Sequence, residues 1–391
     1  VPLAVHLLGL AVFAQGTSEF MLSGLLPDIA RDLRVSIPAA GALTSAFAVG
    51  MIVGAPLMAA LTLRLPRRRA LLIFLLVFMT VHVVGALTTS FTVLLVSRVV
   101  GALANAGFLA VGMATATSMV RPDAKGRAIS VLLSGVTLAC VAGVPGGAVL
   151  GQVWSWRSAF WAVALVCVPV VFAVMRWVPG PAPVREAAGA EAPGARRELR
   201  ALRRARLRVI LLLAAVVNAA TFCTFTYLAP VVTQVGGLAA GWVPVVLALF
   251  GLGAFAGVSL GGRMADDRPL HLLLPGGVAL ALGWALFALT AGNSVAVPAL
   301  VVVQGALSFA VGSTLITQSV YAAPEAPTLG GSFATAALNA GAALGPVVGG
   351  AAIEAGLGYR SPLWVSAGLV AGAFVVGGIA RAADRAHHTK R

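Results

Sequence analysis

Acidic side chains are scarce in this chain, which has 12 Asp and Glu among 391 residues, with charged residues only 10% of the total. That excludes an ordinary soluble domain, in which about 25% of residues are charged. Cysteine occurs three times, as Cys140, Cys167 and Cys223. All three fall in apolar runs, where a free thiol behaves as a small hydrophobe, so neither a disulfide framework nor a metal set is expected. His82 and His271 are lone histidines and are read as packing or interfacial residues. No nucleophile with a partner base, no ligand cluster and no phosphate-binding loop stands out, and no sizeable polar domain is present. A membrane enzyme or receptor is therefore poorly supported, and no cofactor or metal is expected.

What the chain has in abundance is apolar length. Hydrophobic residues make up 60% of it, and its mean hydropathy is +0.99. Runs of about 20 apolar residues, each long enough to cross a hydrocarbon core as a helix, recur throughout. They predict an all-α polytopic protein with spans over 3–27, 38–63, 70–89, 92–119, 128–152, 159–177, 208–233, 242–264, 271–292, 297–321, 330–355 and 362–380. The first run starts at Leu3 and continues without a small-residue cleavage pattern, so it is read as an uncleaved anchor.

The net charge of +15 is distributed by loop. Arg64, Arg67, Arg68 and Arg69 follow the second run; Arg121, Lys125 and Arg127 follow the fourth; nine arginines from Arg176 to Arg208 follow the sixth. Arg263 and Arg268 flank the end of the eighth, and Arg381, Arg385, Lys390 and Arg391 lie in the tail. The opposite loops hold Arg31, Arg34, Arg157 and Arg360. By the positive-inside rule both termini face the cytoplasm, and the basic balance reflects topology rather than a nucleic-acid partner.

The chain also repeats itself. Pro27 and Pro230, Arg157 and Arg360, and Trp161 and Trp364 each stand 203 positions apart, the last two pairs within "WRSAFW" and "YRSPLW". A constant offset across separated landmarks predicts two homologous six-helix halves. The expected division is 1–177, a cytoplasmic basic linker over 178–207, and 208–391 with a short basic tail.

These residues resemble the major facilitator superfamily, and within it the twelve-span drug/proton antiporters. "GVSLGGRMADDR" is similar to the family's loop motif, with Gly262 and Asp266 at the expected spacing. The first-half counterpart keeps Arg64, Arg67 and Arg68 but has Leu63 in place of the acid and Pro66 in place of glycine. "LLVSRVVGALANAG" resembles the second motif through Arg98, with Gly101-Ala102 in place of the usual Gln-Gly. "GAALGPVVGG" matches the antiporter glycine-proline signature through Gly345, Pro346 and Gly349. "GVTLACVAGVPGGAVLG" is a variant of it through Gly143, Pro145 and Gly147. Together with "AQGTSEFMLSGLLPDIA", these motifs look most like the chloramphenicol resistance exporters of actinomycete bacteria. The resemblance implies proton-coupled efflux of a small drug by a monomer in the bacterial cell membrane. Export or import of a sugar, amino acid or other metabolite on the same fold is the alternative, since fold alone does not name a substrate.

Glu19 lies in an otherwise apolar first span, where an ionised carboxylate is costly unless it is paired, protonated or in water. Gln15, Glu19 and Ser23 recur at i, i+4, i+8 and share one helix face, expected to line a cavity. Arg98 and Asn105 share a face of the fourth span, and helix rise puts Arg98 at a depth similar to that of Glu19. In the seventh span Asn218 follows Gln15 by 203 positions, but Phe222 takes the place of the acid. Proton coupling is therefore assigned to Glu19 with Arg98, and Asp28 is the less favoured carboxylate. Gln15, Ser23, Asn105, Asn218, Phe222, Phe225 and Tyr227 are the candidate substrate-cavity residues. A tag inserted after Arg69 or within 176–208 is expected to be cytoplasmic and one near Ser36 external; the reverse labelling pattern would overturn this topology.

Overall fold

The computed structural model describes residues 2–62, 65–178, 200–264, 269–323 and 330–388. Among them are twelve helices long and apolar enough to cross a membrane. The first crossing is α1 (Leu3–Phe20) continued by α2 (Leu22–Asp32); α3 (Ile37–Thr62), α4 (Arg67–Leu87) and α5 (Phe91–Ser118) follow. The fifth crossing is α6 (Lys125–Leu138) and α7 (Val144–Val153), and α8 (Trp156–Trp177) is the sixth. The remaining crossings are α9 (Ala205–Thr226), α10 (Trp242–Met264), α11 (Pro269–Thr290), α12 (Ala296–Tyr321), α13 (Gly330–Ala352) and α14 (Ser361–His388). Asp266, Arg64 and the basic segment 179–199 lie outside the described residues.

Four crossings are irregular within stretches where the sequence predicts continuous helix, the eleventh ending in a π turn over Ile353–Leu357. The first breaks at Met21, and Pro27 inside α2 has no N–H to offer the Ser23 carbonyl. In the fifth, Pro145 likewise withholds a donor from the Val141 carbonyl, and a π turn over Ala139–Gly143 takes up the mismatch just before it. In the seventh, a helical turn Leu228–Pro230 leads into a π turn Val231–Val235.

The chain divides into two compact units, Val1–Ala190 with Ala239–Ala248, and Glu191–Leu238 with Leu249–Arg391. In a bilayer, helix association depends on close packing, which small residues permit. In the first unit a Cβ at Gly143 would collide with Thr17 Oγ1, one at Gly147 would touch Met21, and one at Gly151 would strike Leu25. These partners advance together in steps of four, so the fifth crossing runs parallel to the first along a glycine ridge. In the second unit Gly341 meets Ala215, Gly345 meets Ala219 and Gly349 meets Cys223. Partners are 126 positions apart in both sets, as 143 − 17 and 341 − 215 alike show.

A second close contact also recurs. Gly50 and Gly54 on α3 abut Val99, Ala102, Leu103 and Ala106 of α5. Their counterparts 203 positions on, Gly253 and Gly257 of α10, abut Val302 and Ala306 of α12. Each unit is thus built on the same two small-residue seams.

At Gly345 a Cβ would lie 2.3 Å from the Ala219 carbonyl oxygen and 2.8 Å from the Cys223 nitrogen, both backbone atoms that cannot turn aside. Gly345→Ala is therefore expected to destabilise the protein by about 1–3 kcal/mol, the range for overpacking. Gly146→Ala, where a Cβ meets nothing within 4 Å, is expected to leave stability unchanged or slightly raised. Thermal unfolding of both variants in detergent checks the contrast.

Candidate functional site

Arg98 is carried into the interior of the first unit by the small-residue face of α5. It is only 2% exposed. Because Gly50 and Gly54 let α3 approach, Phe47 lies against the guanidinium, 4.5 Å from its carbon to the ring centre. Both terminal nitrogens then turn to α1: Nη1 donates to Ser18 Oγ and Nη2 to the Ser18 carbonyl, each at 2.8 Å. That carbonyl is among the last of α1, whose end at Phe20 leaves it without the usual intrahelical partner. A cation at a helix C-terminus also meets the negative end of the helix dipole.

The chain of contacts continues into α4. Ser18 Oγ lies 2.6 Å from His82 Nε2, and His82 Nδ1 lies 2.6 Å from the Phe78 carbonyl oxygen. Ser18 and His82 are both buried, and the imidazole packs between the rings of Phe78 and Phe160. Glu19, next to Ser18, is partly buried and within electrostatic reach of Arg98. The two form no ion pair within 4.0 Å: among the described residues the ion pairs are Arg31–Asp28, Arg121–Asp123 and Arg157–Asp32. Glu19 and Arg98 do come to the same neighbourhood, but the atoms that meet Arg98 belong to Ser18.

The other first-unit candidates are distributed around this chain. Gln15 is 1% exposed, and neither amide atom has a hydrogen-bond partner. Ser23 is buried on α2, and Asn105 Nδ2 reaches Met51 Sδ at 3.5 Å across the α3–α5 seam. Asp28 is paired with Arg31 one turn away on the protein surface.

Asp32 does not join that pair. It accepts hydrogen bonds from Trp156 Nε1, at 3.0 Å, and from Arg157 Nη1, while Arg157 Nη2 donates to the Thr88 carbonyl at 3.0 Å. The Arg157 guanidinium also lies over the Trp156 ring. This clamp joins the end of α2, the start of α8 and the end of α4. In the second unit Val235 occupies the position 203 after Asp32, so Arg360 has no matching acid.

The second-unit candidates are mostly aromatic or already engaged. Phe222 and Phe225 continue through Phe250 to Phe309 as a chain of ring contacts with centroids 4.7–6.2 Å apart. Asn218 Nδ2 donates to the Leu338 carbonyl at 2.6 Å. Tyr227 is fully buried beside Gly349, and its hydroxyl donates to the Pro346 carbonyl at 2.7 Å. Of the loop-motif residues, Arg67 begins α4 and is partly buried.

Sequence reasoning missed Ser18 and His82. Their signal was available: a histidine within a predicted span is costly unless it has a partner, and Ser18 adjoins the acid. What hid them is that Ser18 lies off the Gln15–Glu19–Ser23 stripe, and His82 has no charged neighbour along its own helix.

Residues 8–334 match the profile of the Major Facilitator Superfamily. A curated relative, the "Chloramphenicol resistance protein" of Streptomyces lividans, is 55% identical over 96% of this chain and 95% of its own length. "Inner membrane transport protein YdhP" of Escherichia coli (strain K12) is 37% identical over 90% of this chain and 89% of its own. Among solved structures, a bacterial homolog of the human lysosomal transporter Spinster, inward-facing and occupied, aligns with a TM-score of 0.75 at 17% identity, covering 96% of each chain. Nucleoside transporter NupG aligns with a TM-score of 0.78 at 14% identity, over 97% of this chain and 99% of its own. At these identities the two structures show a shared fold.

The clamp at Asp32 yields a test of pH dependence. Hydrogen bonds from Arg157 and then Trp156 hold the Asp32 carboxyl below the usual carboxylate range. A depressed folded-state value means the stabilisation is present above the unfolded value of about 3.9 and is lost as pH falls through the lower, folded one. Because the Asp32 side chain is 44% exposed, the contribution is expected to be about 1 kcal/mol or less. Asp32→Asn should lower the unfolding midpoint slightly at pH 7, with the difference from wild type shrinking as pH drops below the carboxylate range.

Proposed function

Since the chain belongs to the major facilitator superfamily, we propose that this multi-pass membrane transporter exports a small drug of the chloramphenicol type in exchange for protons, by alternating access. The substrate class rests on the Streptomyces lividans relative. The coupling reading rests on one observation above the others: the two units share their packing seams but not their buried polar groups. Ser18, Glu19, His82 and Arg98 are replaced 203 positions on by Thr221, Phe222, Ala285 and Val301. Thr221 simply bonds back to the Val217 carbonyl of its own helix. Side chains needed only to assemble a six-helix unit would recur with the seams; these occur once.

In this mechanism Glu19 carries the proton. Burial disfavours an ionised carboxyl and a nearby guanidinium favours it, so any movement that alters either one alters proton affinity. By linkage, loading or losing the proton biases the conformation in return. Proton entry from outside neutralises Glu19, promotes drug release outward and favours return to the inward-open state; proton loss to the cytoplasm resets the cycle. As drug contacts we propose the polar groups Gln15, Ser23 and Asn105 within the first unit and, separately, the Phe222–Phe225 rings within the second, the polar and apolar chemistry that an amphiphilic aromatic drug requires. The seams around Gly143, Pro145 and Gly147, and around Gly345, Pro346 and Gly349, are proposed to permit the movement. Asp266 and Arg67 are assigned to the inner loop motifs on resemblance.

Glu19→Gln keeps size and most hydrogen bonding but removes titration. The variant is expected to insert normally and bind chloramphenicol, while drug accumulation in cells rises to the level that a protonophore produces with wild type. Full proton-driven export by a well-expressed Glu19→Gln variant would rule out this assignment and move the proton to Asp28.

A further inference from the structure

The Arg98 guanidinium has two kinds of acceptor within one residue of each other on α1: the Ser18 hydroxyl and carbonyl, which it uses, and the Glu19 carboxylate, with which it forms no ion pair. A carboxylate is ordinarily the stronger partner, because both groups are charged and the fork geometry matches. Something holds Arg98 on the weaker one.

The donor–acceptor order of the chain identifies it. The Phe78 carbonyl can only accept, so His82 Nδ1 carries a hydrogen and donates. In the neutral ring Nε2 is then an acceptor, and the Ser18 hydroxyl donates to it. With its hydrogen committed to His82, Ser18 Oγ presents lone pairs to Arg98 Nη1. The hydrogen bonds of the line all run in one direction, from Arg98 through Ser18 and His82 to Phe78, while Arg98 Nε has no partner. A serine without that acceptor is free to rotate its hydrogen toward the guanidinium or onto its own helix. The charged and titratable groups around the line are few. Arg98 comes from α5 and Glu19 from α1, Cys140 of the π turn is within electrostatic reach of Glu19, and α8 presents Phe160 to the imidazole.

We propose that His82 is a positioning residue for transport: through Ser18 it holds Arg98 away from Glu19, keeping that carboxyl free to take up and release its proton. The proposal rests on the proton-coupled reading above. It assigns His82 no contact with drug and no proton of the cycle.

The test uses full-length protein in proteoliposomes, with chloramphenicol export driven by an imposed proton gradient and measured across pH. The variants are His82→Leu, His82→Gln, Ser18→Ala and the Ser18/His82 double variant. Losing the line frees Arg98 to move onto Glu19, which favours the carboxylate and demands more acid to load it. Export by His82→Leu should therefore fall about tenfold at neutral pH, and its pH profile should shift about one unit toward acid, the equivalent of one charge-assisted hydrogen bond. Ser18→Ala should match it, and the double variant should be no worse than either single, since both break one line. His82→Gln, which offers Ser18 an acceptor, should retain most activity. An unchanged pH profile in His82→Leu, or in Ser18→Ala if the former does not fold, overturns the proposal, as does additive loss in the double variant. Export by wild type that ignores the proton gradient sinks the coupled reading itself, whereas these variant outcomes with a coupled wild type sink the role of His82 alone.

Discussion

A guanidinium inside an apolar helix bundle must be met by acceptors, and the organisation of the first unit follows from how Arg98 is met. Its acceptors come from the end of α1, which therefore has to stop at Phe20 and expose the Ser18 carbonyl. Its face is covered by Phe47, which requires α3 to lie closer to α5 than ordinary side chains would allow, and Gly50 and Gly54 supply that closeness. The serine hydroxyl is in turn aligned by His82 from α4. Four crossings are thus committed by one buried cation, and Glu19 sits beside it without being consumed by it.

The glycine seams have a different role. They supply no polar contact, only proximity, and they appear in both units with the same register between partners. Where glycine contacts backbone, as at Gly345 and Gly253, no neighbouring side chain can yield, so these positions set the distance between crossings. Where proline adjoins a seam, the helix answers with a π turn directly before it in the fifth crossing, whereas α13 runs through Pro346 as regular helix and offers its carbonyl to Tyr227. The same sequence device therefore has two local outcomes.

Divergence between the units marks function more sharply than either unit alone. The second has an aromatic chain from Phe222 to Phe309 where the first has Glu19 and its neighbours, and Val235 where the first has the Asp32 clamp. One unit is equipped for charge, the other for apolar contact. This division is the one that the proposed exchange of a proton for an aromatic drug would use.

The twelve crossings, their approximate limits, the repeat at 203 positions and the oddity of Glu19 and Arg98 were legible in the amino-acid order. Apolar length, loop charge and helical spacing are properties of contiguous residues, so no partner need be known to read them. The recurrence of Gly143, Gly147 and Gly151, and of Gly341, Gly345 and Gly349, at i, i+4, i+8 is legible for the same reason. Which residue Arg98 would hold was not. Ser18 and Glu19 differ by one position, about 100° around a helix, and their depths are nearly equal; only the packing of α1 against α5 selects between them. Nor did spacing reveal that His82 completes the line or that Asp32 turns to Trp156 and Arg157, because those partners lie 64, 124 and 125 positions away. Hydrogen bonds over such separations are decided by how helices are brought together, which tertiary structure alone determines.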